Sequence, residues 1–246
     1  MGLRQVYLEY INKCINDTFG EIHGKRILEL GNQEIIGNFL CQKTGKEYFE
    51  DRGVEHVSVD LNGLDGALLL DLTKPEQFAK WHNYFDIITN SGTTEHIEPK
   101  NAQYECFSII HNCLKAGGIA IHLVPDINEL DSRGCWKNHC NNYYSCDFFK
   151  MLAAENNYNL MTLELTNGLI CACLQKQFDK PFMKDRAKFL KHISRRTGGI
   201  IYAGINDRSS GLRFSYRIIR LGYYIKHPVE IPAMIKRKWI GFFTKK

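Results

Sequence analysis

Four short stretches of this 246-residue chain put acids and amides where a folded protein could use them. Glu29-Leu30-Gly31-Asn32-Gln33 closes one apolar run and Asp60-Leu61-Asn62-Gly63 closes a second. Asp71-Leu72 closes a third, and Thr89-Asn90-Ser91-Gly92-Thr93-Thr94-Glu95-His96 a fourth. Ionised carboxylates only accept hydrogen bonds, so the set suits a ligand rich in hydroxyl and amine donors rather than a phosphate. Glu34 stands where a pyrophosphate would have to meet a helix N-terminus, which argues the same way. His96, beside Glu95, is the candidate general base because an imidazole titrates near neutrality. The structural alternative is a histidine that merely caps a turn. His122, flanked by apolar residues, reads as a core histidine instead. Asp126 and the loop 128–145, with Trp136, His139, Tyr143 and Tyr144, offer the hydroxyls, amides and aromatic faces that suit sugars and other polyols. Cys135, His139, Cys140 and Cys146 lack the paired spacing of structural zinc sites, so no metal is assigned.

Elements must hold these residues in place. Between residues 26 and 176, short apolar or β-branched runs alternate with longer mixed stretches, the rhythm of βα units. Strands are predicted at 26–31, 56–60, 66–71, 85–90, 118–124, 160–165 and 169–175. Ile119-Ala120-Ile121-His122-Leu123-Val124 reads as a parallel strand buried on both faces. The last two strands are joined only by Thr166-Asn167-Gly168, and Asn-Gly between apolar runs signals an antiparallel hairpin. Val6, Tyr7, Tyr10, Ile11, Cys14 and Ile15 keep helical spacing, and further helices are predicted at 105–114 and 146–155. Lys115-Ala116-Gly117-Gly118 is expected to stop the first of these and turn into the next strand. The expected fold is α/β, a seven-stranded mostly parallel sheet closed by a C-terminal antiparallel hairpin. In such sheets ligands bind outside the carboxyl ends of the strands, where the four polar stretches fall.

With these motifs in this order, residues 25–176 resemble the class I S-adenosylmethionine (SAM)-dependent methyltransferases, whose sheet is Rossmann-like. Ile27-Leu28-Glu29-Leu30-Gly31 is similar to the family's first motif. The resemblance implies that Gly31 lets the backbone approach the methionine part of SAM, with Glu29, Asn32 and Gln33 around it. Val59-Asp60-Leu61 resembles the segment whose carboxylate accepts the ribose hydroxyls. Asp71-Leu72 resembles the adenine-binding segment, and the fourth-strand motif implies Asn90 and Ser91 at the cofactor, with Glu95 and His96 catalytic. Two features depart from the pattern. Asn32, Gln33 and Glu34 replace the further glycines of the first motif, and Asp60 lies 29 residues beyond Gly31, a length that an insertion around 42–50 would absorb.

Composition sets the wider frame. With 44% apolar and 24% charged residues, the chain is neither disordered nor a small disulfide scaffold. The net charge of +5 hides an asymmetry. Residues 1–179 hold 15 Lys/Arg against 24 Asp/Glu, and residues 180–246 hold 17 against 3. A SAM-dependent methyltransferase domain is therefore expected over 1–178 and a basic amphipathic extension over 179–246. In the extension Phe214, Ile218, Leu221 and Ile225, then Ile235, Trp239 and Phe242, recur at helical spacing beside Lys/Arg, as in helices lying on an anionic membrane surface. The plain alternative is that these faces pack onto the chain's own domain while the charges stay solvated, and nucleic acid ranks behind membrane as a partner. Nine scattered cysteines, no secretory pattern and no long apolar run predict a cytoplasmic protein, with peripheral attachment to the inner membrane face as an option. The expected activity is O-methylation of a sugar hydroxyl in a cell-surface glycan or lipid-linked precursor. The alternatives are an RNA methyltransferase that binds through the tail, or a non-catalytic SAM-binding module.

Overall fold

The computed structural model describes residues 2–36, 43–128, 140 and 142–195. Trp136, His139 and the extension beyond residue 195 lie outside the described residues.

In chain order the elements are β1 (Gly2–Arg4), α1 (Gln5–Phe19), β2 (Arg26–Leu30), β3 (Glu34–Ile36), α2 (Gly45–Glu50), β4 (Glu55–Val59), β5 (Phe85–Ser91), α3 (Ala102–Cys113), β6 (Leu114–Pro125), β7 (Asn142–Tyr143), α4 (Cys146–Asn156), β8 (Tyr158–Thr166), β9 (Leu169–Lys176), α5 (Arg186–Lys191) and β10 (Ser194–Arg195). Two 3-10 turns, Pro75–Trp81 and Thr94–His96, complete the set. The main sheet has six strands in the order β4-β2-β5-β6-β9-β8. The first four are mutually parallel, and β9 and β8 run antiparallel, so the closing hairpin is present.

The sheet is one strand short of the expected seven. Residues 66–71 make only a bridge, Val59 to Leu68, with Leu68 N–H donating to Ser58 O at 2.8 Å. Asp65 and Gly66 both hold positive φ (52° and 79°), which turns the chain too sharply for a strand to begin there. The glycines after α3 act differently from the expectation as well. The helix stops at Cys113, and Leu114 is already extended (φ −79°, ψ 131°). Gly117 (φ 82°) instead lies in the irregular stretch of β6, where pairing with β5 jumps from Phe85–Leu114 to Ile87–Ile119.

Alternation along the strands divides the core in two. Ile27, Ile87, Ile119, Ile121 and Cys173 pack with α1 and α2, whereas Leu28, Leu30, Ile88, Ala120, Val124 and Leu174 pack with α3, α4 and α5. Packing continues past residue 178. Phe182, Met183, Phe189 and Ile193 are buried in the second of these layers, and Tyr104 OH donates to Met183 O at 2.6 Å.

Candidate functional site

The first turn is built around Gly31. Its φ of 82° is a left-handed value, and a Cβ there would sit 2.4 Å from Thr93 Oγ1, so two independent demands require glycine. Thr93 closes over the turn by donating to Leu30 O at 2.6 Å. The chain then leaves as β3, which pairs in parallel with β1, before α2 begins. Within 42–50, where the extra length is expected, residues 45–50 form α2 itself. Thr44 and Glu47 form its reciprocal capping box, a Thr-x-x-Glu signal that the sequence carries openly. Gly45 then restores a close approach: a Cβ there would meet Glu29 Oε1 at 2.4 Å.

Glu29 is buried at this junction. Desolvation raises its pKa to about 8, although the Gln33 N–H donates to its carboxylate. His56 Nε2 lies 3.9 Å from Glu29 Oε2, beyond hydrogen-bond reach, and burial lowers the imidazole to about 3. At neutral pH both groups are thus held uncharged. The neighbours of Glu29 in register are Ser58 on β4 and Thr89 on β5. Glu29 Oε2, Ser58 Oγ, Thr89 Oγ1, both His56 nitrogens, Asn32 Oδ1 and Gln33 Oε1 are buried without a hydrogen-bond partner among the described residues. Buried polar atoms are normally partnered, so a concentration of orphans at one strand end is a binding signature.

Asp60 belongs to the same cluster. Its Oδ2 accepts from Asn32 N–H and its Oδ1 from Asn62 N–H, each at 2.9 Å, and its charge acts on Glu29. Each oxygen keeps a lone pair for a further donor. Asn32 Nδ2 reaches Leu64 O (3.1 Å) and Asp65 Oδ2 (3.0 Å), bracing the Gly31 turn against the loop after β4, where Leu61 is half-buried. Asp71 keeps its side-chain hydrogen bonds within its own turn, where Oδ1 accepts from the N–H and hydroxyl of Thr73, and its N–H donates to Gln77 Oε1 at 2.8 Å. Leu72 beside it is buried.

On the opposite face of the sheet, Asn90 has its side chain committed to the protein. Its Nδ2 donates to Thr94 Oγ1 (2.9 Å) and His122 Nδ1 (3.0 Å), and its Oδ1 accepts from Thr94 N–H (3.2 Å). The Tyr144 hydroxyl bridges Thr94 Oγ1 (2.9 Å) and Gln103 Oε1 (2.7 Å). His122 is the core histidine expected, stacked on Phe107 with centroids 5.5 Å apart and lowered by burial to about 3. Ser91 is buried at the end of β5. The structure corrects the reading of Tyr143 and Tyr144 as aromatic faces offered to a sugar. Both are fully buried, Tyr144 against Phe107 and Phe148, and Tyr143 OH accepts from Cys140 N–H. Rings flanked by cysteine and phenylalanine went to the core, where their apolar area is removed from water.

Glu95 and His96 are buried in the turn Thr94–His96, with His96 Nε2 3.9 Å from Glu95 Oε1. Desolvation raises the Glu95 pKa, and the His96 charge opposes it. Asp126 is buried at the carboxyl end of β6, accepting from Asn128 Nδ2 at 3.4 Å. Asn142 Nδ2 donates to Ile97 O (2.8 Å) and Glu95 O (3.3 Å), tying β7 to the His96 turn. Arg195 grips Glu98 with both contacts at 3.0 Å. These last ties link residues so distant in sequence that no local motif announces them.

No family model and no curated protein matches the chain. Among solved structures it is similar to a SAM-dependent methyltransferase from Archaeoglobus fulgidus, at 17% identity over 65% of this chain and 72% of that one, with a TM-score of 0.46. A second is the 1,6-didemethyltoxoflavin-N1-methyltransferase of Burkholderia thailandensis with bound S-adenosylhomocysteine, at 12% identity over 71% and 82%, TM-score 0.48. A third is a TehB-like SAM-dependent methyltransferase from Corynebacterium glutamicum, at 15% identity over 68% and 87%, TM-score 0.46. With these TM-scores below 0.5, the likenesses decide nothing alone, and the strand ends of this chain must carry the assignment.

Proposed function

We propose that this chain is a class I SAM-dependent methyltransferase that methylates a hydroxyl of a sugar acceptor. The observation that carries it is the trio of buried, donor-less oxygens around Gly31: Glu29 Oε2, Asn32 Oδ1 and Gln33 Oε1. An ammonium offers three N–H donors and a positive charge, and the amino-acid end of SAM presents such a group. The first motif has thus exchanged backbone glycines for side-chain acceptors. Asp60, held by Asn32 and Asn62, has acceptor capacity left for a pair of ribose hydroxyls.

SAM supplies a methyl group activated by its sulfonium. The chain's own part is to align the acceptor oxygen and take its proton. His96 Nε2 is the base, and Glu95, 3.9 Å away, is the positioning residue that stabilises the imidazolium once the proton has moved. Asp126, at the neighbouring strand end, can orient a second acceptor hydroxyl. With Tyr143 and Tyr144 in the core, what favours a sugar as the acceptor is the sequence after β6, where Trp136 and His139 stand among amides and hydroxyls.

Calorimetry with S-adenosylhomocysteine, followed by labelled-SAM incubation with fractionated cell extract, tests both halves. Uptake of the ligand and label in a glycan fraction are expected. His96→Ala should lower transfer by on the order of 10²–10⁴-fold while leaving ligand uptake intact. Absence of ligand uptake would overturn the reading, and uptake with no label in any fraction would overturn its catalytic half.

A further inference from the structure

The turn that carries His96 is gripped from two sides. On the side of the closed network, Gln103 Nε2 donates to Thr94 O (2.6 Å) and Ile97 O (2.9 Å), and Asn142 Nδ2 donates to Ile97 O. Gly92, at a φ of 75°, leads into the turn with its N–H on Leu123 O at 3.0 Å, so β6 holds that end as well. On the side of the Gly31 turn the tie is Thr93. Its hydroxyl donates to Leu30 O, the last carbonyl of β2, at 2.6 Å. Its own carbonyl accepts from His96 N–H at 3.1 Å, which closes the turn Thr94–His96. Thr93 thus stands between the two turns, bonded to the first through its side chain and to the second through its backbone.

Packing makes this tie stiff. A Cβ on Gly31 would collide with Thr93 Oγ1, and a threonine side chain has few rotamers to escape into. Close-packed groups move together rather than deform, so a ligand that settles against the Gly31 turn acts on Thr93 as well. The hydroxyl has a single proton, already given to Leu30 O, and it is not among the orphaned oxygens that would receive an ammonium. What it supplies is a fixed spacing between the turn that holds the cofactor and the turn that holds the base. That spacing matters for a transfer in which donor, acceptor and base must be aligned, where a displacement of about 1 Å costs on the order of a hundredfold. We propose that Thr93 is a positioning residue that couples the two turns, so that filling the Gly31 turn sets His96 in place for the acceptor. The roles of cofactor and base rest on the methyltransferase reading, whereas the coupling is measurable without any transfer.

The test uses the full chain with nitrogen-15 in its histidine rings, read by NMR, and S-adenosylhomocysteine as the probe. The His96 signal is the one of nine that His96→Ala removes. Saturating ligand should move that signal in the wild-type chain and in Thr93→Ser, which keeps the hydroxyl. In Thr93→Val the movement should be lost, while calorimetry gives a dissociation constant within about threefold of wild type. Label transfer at saturating SAM should fall about ten- to a hundredfold in Thr93→Val and return to within about threefold of wild type in Thr93→Ser. Thr93→Ala removes the same hydroxyl and carries the same expectation, so a Thr93→Val chain that does not fold leaves the test standing. If the His96 signal moves equally in wild type and Thr93→Val, with only the melt lowered, Thr93 is a structural tie and the proposal is overturned. Loss of ligand uptake in folded Thr93→Val would make it a cofactor contact and overturn the proposal as well. A wild-type chain that takes up no ligand sinks the methyltransferase reading and the coupling with it, whereas uptake with a His96 signal that never moves sinks the coupling alone.

Discussion

The two faces of the central strands treat buried polar groups in opposite ways. On the face towards α3 and α4, Asn90, Thr94, Tyr144, Gln103 and His122 satisfy one another with bonds of 2.7–3.2 Å. On the face towards α1 and α2, Glu29, Ser58, Thr89 and His56 stand in adjacent strands with atoms left over. Both clusters are equally hidden from water, so burial does not separate them. Satisfaction does. A closed network specifies packing, whereas an open row adjoining a turn tolerates its cost because something else completes it. The acids and amides that look interchangeable in sequence therefore divide into a closed scaffold and an open row, which the proposed function reads as a receptor.

The sharpest way to break this contrast is to neutralise the receptor. Glu29→Gln should weaken SAM or S-adenosylhomocysteine binding by on the order of a hundredfold, since a charge-assisted bond to a buried ammonium is lost, while the folded protein melts no lower. Calorimetry and a thermal melt on the same sample check both. Asn90→Ala should do the converse. It strands His122 Nδ1 and Thr94 in the core, costing about 2–3 kcal/mol in chemical denaturation, while ligand affinity in the surviving fold stays within about threefold, well under the 1.4 kcal/mol of a tenfold change. If Asn90→Ala lost the ligand and kept its stability, the two faces would have been assigned the wrong way round.

What could be read in the sequence follows the same division. Glu29, Gly31 and Asp60 were legible because a parallel strand announces its own end, and the turn residues follow within a few positions. The hairpin was legible from Asn167-Gly168, both at positive φ. The seventh strand was not, because 66–71 has a strand's composition but enters through two left-handed residues, Asp65 and Gly66, a backbone property that an apolar run does not disclose. Tyr143 and Tyr144 misled for a related reason. A polar, aromatic loop reads as a surface, yet Phe107, Phe148 and Phe149 offered their rings a dry interior. Ser58 and Thr89 carry no signal until the register sets them beside Glu29, and Thr93 none until the chain folds it over the Gly31 turn.

Titration sharpens the contrast by about one proton. Glu29 is raised from 4.5 to about 8, so the folded state holds a proton that the unfolded chain has released, and stability falls as pH rises between those values. His56 and His122, lowered to about 3, and His111, lowered to about 4, bind fewer protons folded than unfolded and act in the opposite sense, but only up to about pH 6.5. From 6.5 to about 7 Glu29 acts without their opposition, before Cys14, whose thiol is lowered to about 7, begins to offset it. Stability of the ligand-free protein should therefore decline over that window by up to about 1.4 kcal/mol per pH unit, and Glu29→Gln should flatten the slope. An ammonium beside Glu29 favours its anion, so ligand binding at pH 7 should release about one proton from that carboxyl. Calorimetry in buffers of different ionisation enthalpy measures this directly.

The smallest effect is the most discriminating. Ser58 Oγ and Thr89 Oγ1 are buried beside Glu29 with no partner among the described residues. Removing an unpaired buried hydroxyl relieves a desolvation cost, so Ser58→Ala and Thr89→Val should be neutral or stabilising by up to about 1 kcal/mol. Truncating a hydroxyl in the closed network, as in Tyr144→Phe, should destabilise by about 1–2 kcal/mol, because Gln103 Oε1 loses its donor. Opposite signs from the same chemical change on the two faces of one sheet are what the division into receptor and scaffold requires. Equal losses in denaturant titrations would mean that Ser58 and Thr89 are already satisfied, and the open row would then be as structural as the closed one.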